Sequence, residues 1–318
     1  MAVKEKSQVG ESRDSVVESR VLLIGHDGHA EEGLERQLTS LHCSYVHAAG
    51  SADALRLLRR SPYSVVITDP DTSIHEDLAL VEEIQHLRPG VRVIVLASSG
   101  TPEEMIAALR QHVFLCQCAP FDMKDIARFA VSAIEAKDSS LGIEVLSAER
   151  DWISVKMNCD MLNADRLTEF FKQFQMTLPE RPPEEMMIAF EEILNNAIEH
   201  GAQNDPSKLI EVAAVRTARA FVFYISDPGK GFRPDKIPHA AISYSPDDPT
   251  RHIEVRNKLG MRLGGYGILL ASGIVDELIY SEVGNEVLLI KHMSGPEVRK
   301  SSFDDPFIPS KGKDFLEC

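Results

Sequence analysis

Basic residues are scarce in this chain: 34 Lys and Arg stand against 49 Asp and Glu, a formal charge of −15 over 318 residues. That excess argues against nucleic acid or an anionic membrane as partner, because both select positive surfaces. Long apolar runs are missing as well. No stretch spans a bilayer, and residues 1–19 are polar and charged, without the apolar core of a secretory signal. Cysteine is sparse: five residues, an odd set with no ligand-like spacing. Cys116 and Cys118, two apart, would share one face of a strand and point into a core. These absences predict a soluble cytoplasmic protein in a reducing compartment.

What is present divides into two halves, in keeping with a length that holds roughly two domains. After the polar leader of 1–19, the pattern predicts a strand running into a loop over 21–30, then strands at 44–48, 64–71 (ending in acids), 91–99 and 114–121. Helices are predicted between and after them, the first on Leu34, Leu38 and Leu41, then at 52–58, 77–87, 102–110 and 123–136. Strands alternating with helices at these lengths predict an α/β fold with a doubly wound parallel sheet. A short polar stretch at 138–142 reads as a linker.

In the second half, residues 143–159 read as two strands, with Ile153, Val155 and Met157 alternating inward. Asn163 is expected to cap the next helix, whose core face is Leu167, Phe170, Phe171 and Phe174. The helix after Pro182 and Pro183 is the centre of the chain. Met187, Phe190, Leu194, Ala197 and Ile198 form its apolar stripe, while Glu192, Asn196 and His200 stand four apart on a second face. Gly201 is its expected stop. Such a face is also what a merely solvated helix shows. Two later stretches change the balance: DPGKGF at 227–232, where a predicted hairpin of strands (208–217, 218–227) ends, and GGYGILLA at 264–271 before a helix expected over 268–277. Two strands joined through Gly284 and Asn285 close the fold, with helices segregated on one side of a mixed sheet. Residues 294–318, polar with scattered Pro, Gly and Lys, are expected to be disordered.

Residues 20–137 resemble the response-regulator receiver domain, a flavodoxin-like fold whose site lies at the carboxyl ends of the strands. The resemblance makes Asp69 the equivalent of the phosphoacceptor. The rest of the family's site has changed: the acidic pair after the first strand is Gly25 and His26, with Asp27 one step late. The hydroxyl position is Ala97, beside Ser98, and the lysine position is Ala119. Phosphoryl transfer to a carboxylate needs cations to neutralise the transferring group. A pseudo-receiver that serves docking or dimerisation is therefore expected; a working switch would need Asp27 and Asp71 as substitute ligands.

Residues 143–293 resemble the GHKL ATP-binding fold, an α/β sandwich, and within it the anti-sigma-factor serine/threonine kinases of partner-switching systems. Glu192 and Asn196 match that family's first box, Asp227, Gly229 and Gly231 its D-x-G-x-G box, and Gly264, Gly265 and Gly267 its glycine-rich box; Gly284 and Asn285 match the closing turn. The resemblance implies ATP and Mg²⁺ as cofactors and Glu192 as the general base. Asn196 would be the Mg²⁺ ligand, since a side-chain oxygen suits this hard ion. Asp227 would accept the exocyclic amine of adenine. Backbone N–H groups near Gly265 and Gly267, at a helix start, would hold phosphate oxygens. Residues 233–263 correspond to the ATP lid, from which Arg251, Lys258 or Arg262 can reach the γ-phosphate.

The function so implied is a cytoplasmic signalling regulator that phosphorylates a serine or threonine of a STAS-like protein antagonist and also sequesters a sigma factor. It would not bind nucleic acid or membrane, and homodimerisation is compatible with it. The alternative is a catalytically silent, ATP-gated partner-switch binding protein; a lid-driven ATP hydrolase is a third option. A histidine kinase fits less well, because no helix before the ATP fold presents a phosphoacceptor histidine in a dimerising pair.

Overall fold

A computed structural model describes residues 20–25, 29–136, 142–231 and 266–293. The leader, most of the linker, the lid and the tail lie outside these residues. The first half builds a parallel sheet from β1 (Arg20–Ile24), β2 (Ser44–Ala48), β3 (Val65–Ile67), β4 (Arg92–Ala97) and β5 (Leu115–Cys118), in the order β2-β1-β3-β4-β5. Five helices follow the strands in turn: α1 (His29–Ser40), α2 (Ser51–Arg60), α3 (Ile74–Leu87), α4 (Pro102–Arg110) and α5 (Met123–Glu135). Alternate residues of one strand serve opposite layers. Val21, Leu23, Ile94 and Leu96 pack against Leu34 and Leu38 of α1 and Ile126 and Phe129 of α5. Leu22, Val66, Val93 and Val95 join the layer of α2, α3 and α4. Burial on both faces is why β3 and β4 are almost wholly apolar. Ser73 with Glu76, and Thr101 with Glu104, make reciprocal caps that fix where α3 and α4 begin. Leu41, expected on the core face of α1, is exposed, because the helix stops at Ser40 and the chain turns through His42 at φ 58°.

The second half is a six-stranded sheet in the order β10-β11-β9-β8-β7-β6. Its strands are β6 (Ile143–Glu149), β7 (Trp152–Asn158), β8 (Leu209–Arg216), β9 (Ala220–Ser226), β10 (Glu277–Tyr280) and β11 (Glu286–His292). The expected mixed sheet is antiparallel throughout, since β6–β7, β8–β9 and β10–β11 are successive strands paired in opposite directions and the remaining pairs follow suit. α6 (Met161–Thr177), α7 (Glu185–Asn196) and α8 (Gly267–Ile274) cover one face. Phe171, Phe190 and Phe223 lock helices to sheet, with ring centroids 4.3 Å apart for Phe190–Phe223 and 5.1 Å for Phe171–Phe223. Asp160, not Asn163, caps α6: its side chain accepts from Asn163 N at 2.9 Å, and Asn163 lies buried inside the first turn. α8 ends at Ile274, before the expected 277, because Glu277 already pairs with Ile290.

The two halves meet where α6 lies along the outer edge of β5. Gln173 Oε1 accepts from Cys118 N at 3.0 Å, and the side-chain amides of Gln117 and Gln173 both donate to Glu169 Oε1 at 3.0 Å. Arg166 donates from Nε to the Phe114 carbonyl at 2.9 Å and stacks 4.3 Å above the Phe114 ring. Burial lowers its pKa to about 10. Arg110 reaches across to Ala148 O at 2.8 Å and Glu149 at 2.9 Å, and Arg128 pairs with Asp165 at 3.1 Å. Two backbone groups of an edge that would otherwise present unpaired donors and acceptors, Phe114 O and Cys118 N, are thereby taken up by side chains of the other half. Among the described residues no helix is long and apolar enough to cross a membrane.

Candidate functional site

The site in the second half is assembled by the carboxyl end of α7, the turn that follows it, the end of β9, the β10–β11 turn and the start of α8. Glu192 and Asn196, four apart on α7, are both partly buried. The first residue of α8 meets them. A Cβ placed on Gly267 would lie 2.5 Å from Glu192 Oε2 and 3.4 Å from Asn196 Nδ2. The carboxylate, the amide and the N-terminal turn of a helix thus converge on one spot, and that turn offers N–H groups with a positive dipole end.

Beyond Asn196 the helix does not stop at Gly201 as expected. Ala197–Ala202 forms a π-helical turn, closed by Gln203 in the left-handed region at φ 64°. Lys208 Nζ donates to Ala202 O at 3.0 Å and steadies its end. The wider turn breaks the four-residue stagger, and His200 lies exposed rather than buried beside Asn196. It also sets Gly201 directly against the side chain of Asp227.

Asp227 is pinned from several sides. Its N–H donates to Asn285 O at 2.9 Å, its carbonyl accepts from Asn285 Nδ2 at 3.1 Å, and its Oδ1 accepts from Gly229 N at 2.7 Å. Burial raises its pKa above the ordinary carboxylate value, with the Gly229 hydrogen bond acting the other way. Gly231 sits at φ +72°, a region that L side chains rarely adopt, and its Cα faces the Val283 carbonyl. Tyr280 lies close enough that Asp227 adds to the upward shift of its hydroxyl, which burial dominates.

The donor set suits a magnesium nucleotide. Asn196 offers one hard oxygen, and an ion that keeps its waters and binds phosphates needs little more from the protein. Among the described residues no group of three His, Cys, Asp or Glu is placed to hold a metal alone. At Gly229 the place of a Cβ is taken by Asp227 Oδ1 and the Gly201 backbone, and at Gly231 by the Val283 carbonyl, so both glycines are required by close packing around Asp227 and the β10–β11 turn. Gly264 and Gly265 lie outside the described residues, as do the lid cations Arg251, Lys258 and Arg262.

In the first half Asp69 stands at the end of β3, half-buried, with Oδ1 accepting from Asp71 N at 2.9 Å. His26 and Asp27 lie outside the described residues. Ala97 is buried, while Ser98 and Ala119 are exposed. Beneath Asp69 is a group that the sequence reading missed. Asp77 is 3% exposed and accepts from Thr68 Oγ1 at 2.7 Å and Thr72 Oγ1 at 2.9 Å. Thr68 Oγ1 in turn accepts from Leu96 N at 3.1 Å. Burial raises the Asp77 pKa to about 6, against the two hydroxyl hydrogen bonds and with help from the charges of Asp69 and Glu76. The available signal was its place in the apolar stripe Ile74, Asp77, Val81, Ile84.

Residues 160–291 match the family profile of the histidine kinase-like ATPase domain. The chain is a fusion of a receiver-type α/β fold and a histidine-kinase-like ATPase domain of the GHKL class. Two curated relatives bear on the particulars. The serine-protein kinase RsbW of Oceanobacillus iheyensis is 24% identical over 116 residues, which cover 36% of this chain and 68% of that protein. The transcriptional regulatory protein GlrR of Escherichia coli K12 is 32% identical over 117 residues, covering 37% of this chain and 26% of that one. The chain thus spans about a quarter of the length of the transcriptional regulators it matches. An orphan response regulator of H. pylori superposes with a TM-score of 0.34 at 20% identity, over 37% of this chain and 98% of that one.

Proposed function

We propose that this protein is a cytoplasmic regulator that binds Mg·ATP in its second half and phosphorylates a serine or threonine of a protein antagonist. The observation that carries the reading is the convergence of Glu192 Oε2 and Asn196 on Gly267 at the head of α8. A proton acceptor thereby stands beside an oxygen ligand and a phosphate-binding helix start, the parts that phosphoryl transfer to a hydroxyl requires. The likeness to a serine-protein kinase supports the same choice.

Bound Mg·ATP supplies the phosphoryl group and the divalent charge beside it. Asn196 would hold the ion, the first turn of α8 the phosphate oxygens, and Asp227 the amino group of the base, with Asn285 fixing Asp227. Glu192 would orient the incoming hydroxyl and take its proton. The partner-switching resemblance makes a small STAS-like antagonist the substrate and a sigma factor the second partner. The first half, with Ala97 and Ala119 where the receiver family keeps its hydroxyl and lysine, acts as a docking module rather than a phosphoacceptor.

The test is labelling of host lysate with γ-labelled ATP and Mg²⁺ by the wild type and by Glu192→Ala. The expected result is an acid-stable label on a small protein, lost in the variant while ATP binding persists. If both proteins bind ATP and neither labels anything, transfer is refuted and a nucleotide-gated binding protein remains.

A further inference from the structure

Glycine at position 201 has no backbone reason to be there. Its φ lies outside the left-handed region, and the residue that closes the helix in that region is Gln203. Inside a helical segment glycine costs roughly 0.5–1 kcal/mol relative to alanine. The space around its Cα supplies the reason: an added Cβ would fall inside van der Waals distance of Cγ and Oδ1 of Asp227 and 2.8 Å from its Cβ. Against the same carboxylate, a Cβ on Gly229 would lie 2.6 Å from Asp227 Oδ1 and 2.9 Å from Gly201 Cα. Two bare Cα atoms therefore hold the carboxylate in a slot, and the π turn is what delivers one of them.

We infer that Gly201 is a positioning residue that sets base selectivity, by leaving room for Asp227 to present its carboxylate to the amino group of a 6-aminopurine. The inference rests on the proposed ATP-binding reading and extends it to a residue outside the nucleotide-contacting set. An ionised carboxylate only accepts hydrogen bonds. Oδ1 already accepts from Gly229 N, and a 6-oxopurine offers the remaining oxygen another acceptor, so a fixed, half-buried carboxylate is left with Oδ2 unpaired and rejects that base. If the slot is filled, the carboxylate must swing out, and the discrimination goes with it.

The experiment is calorimetric titration of the full chain with Mg·ADP and Mg·IDP, whose purines differ at position 6 (amine against carbonyl) and at N1, which accepts in adenine and donates in hypoxanthine. Wild type, Gly201→Ala, Asp227→Ala and the double variant are compared. The wild type is expected to prefer ADP by a factor of about 100, in line with rejection by an unpaired buried group. Gly201→Ala should lose ten-fold or more in ADP affinity with IDP nearly unchanged, and in the Asp227→Ala background it should change nothing further. A folded Gly201→Ala protein that keeps its preference overturns the proposal, as does an equal loss for both nucleotides or a further loss in the double variant. Should the single variant fail to fold, the double variant must fold and bind as Asp227→Ala does, or the proposal is overturned. A wild type that binds neither nucleotide is a different result, and it removes the ATP-binding reading itself.

Discussion

Asp77→Asn is the substitution whose effect follows most directly from the structure. The carboxyl is buried under Asp69, and its pKa stands at about 6 instead of 3.8. A group that the fold holds protonated at higher pH than the unfolded chain does costs stability once it must ionise. The folded state binds the extra proton between the two pKa values, so stability falls as pH rises from about 4 to about 6 and is level above. At 1.36 kcal/mol per unit, a rise of roughly two units corresponds to about 3 kcal/mol, fully present at pH 8. Asparagine keeps the shape and can satisfy the network. Its oxygen accepts from Thr68, and its amide can donate to Thr72 Oγ1, whose own hydroxyl then turns to the Asp69 carbonyl 2.6 Å away. Some charge-assisted bonding is lost, so the expected net gain at pH 8 is about 1–2 kcal/mol. Urea unfolding followed by circular dichroism at pH 4.5 and pH 8 should show the variant more stable only at the higher pH. Carboxyl ¹³C resonances should contain an aspartate titrating near 6 that the variant lacks. An equal shift in stability at both pH values, or no such resonance, refutes the reasoning.

Two further substitutions separate function from folding. Gly267→Ala places a methyl against Glu192 Oε2, the free end of a flexible side chain, at a helix position that alanine favours. Thermal stability should hold or rise by up to ~1 kcal/mol, while transfer to the protein substrate falls ten-fold or more in the labelling assay. Arg166→Leu removes the donor to the Phe114 carbonyl and the cation above its ring, leaving a buried acceptor unpaired. It should cost about 2–4 kcal/mol in urea unfolding, and Arg166→Lys should restore little, because an ammonium cannot reproduce the planar stack.

The fold was legible because its signals are local. Pro102 with acids behind it marked the start of α4, and alternation at Ile153, Val155 and Met157 marked the buried face of β7. The candidate site was legible as spaced glycines and carboxylates, of which Glu192, Asn196, Asp227, Gly229, Gly231, Gly267 and Asn285 lie on the elements around one region. What escaped depends on three-dimensional neighbours. Gly201 read as a helix stop because no sequence pattern announces a π turn. Asn163 read as a cap because its residue type favours that position, whereas its side chain lies inside the first turn, donating to Asp160 and accepting from Arg166 at 2.9 Å. Asp77 read only as the start of a helix because its partner Thr68 lies outside that helix, on the far side of the Asp69 turn.

The sealing of β5 by α6 also has a consequence in time. β5 is complete at Cys118, but the helix that covers its edge ends at Thr177. At about 5–20 residues per second, ribosomes need roughly 3–12 s to make that interval. For that span the nascent first half carries a bare strand whose N–H and C=O groups invite any passing chain. Val95, Leu96, Cys116 and Cys118, apolar and adjacent, make that invitation worse. Arg110 on α4, made before β5, and Arg128 on α5, made shortly after it, are charges on neighbouring helices available to deter it. The later arrival of Gln173 and Arg166 then closes the edge and draws the two halves together in one event.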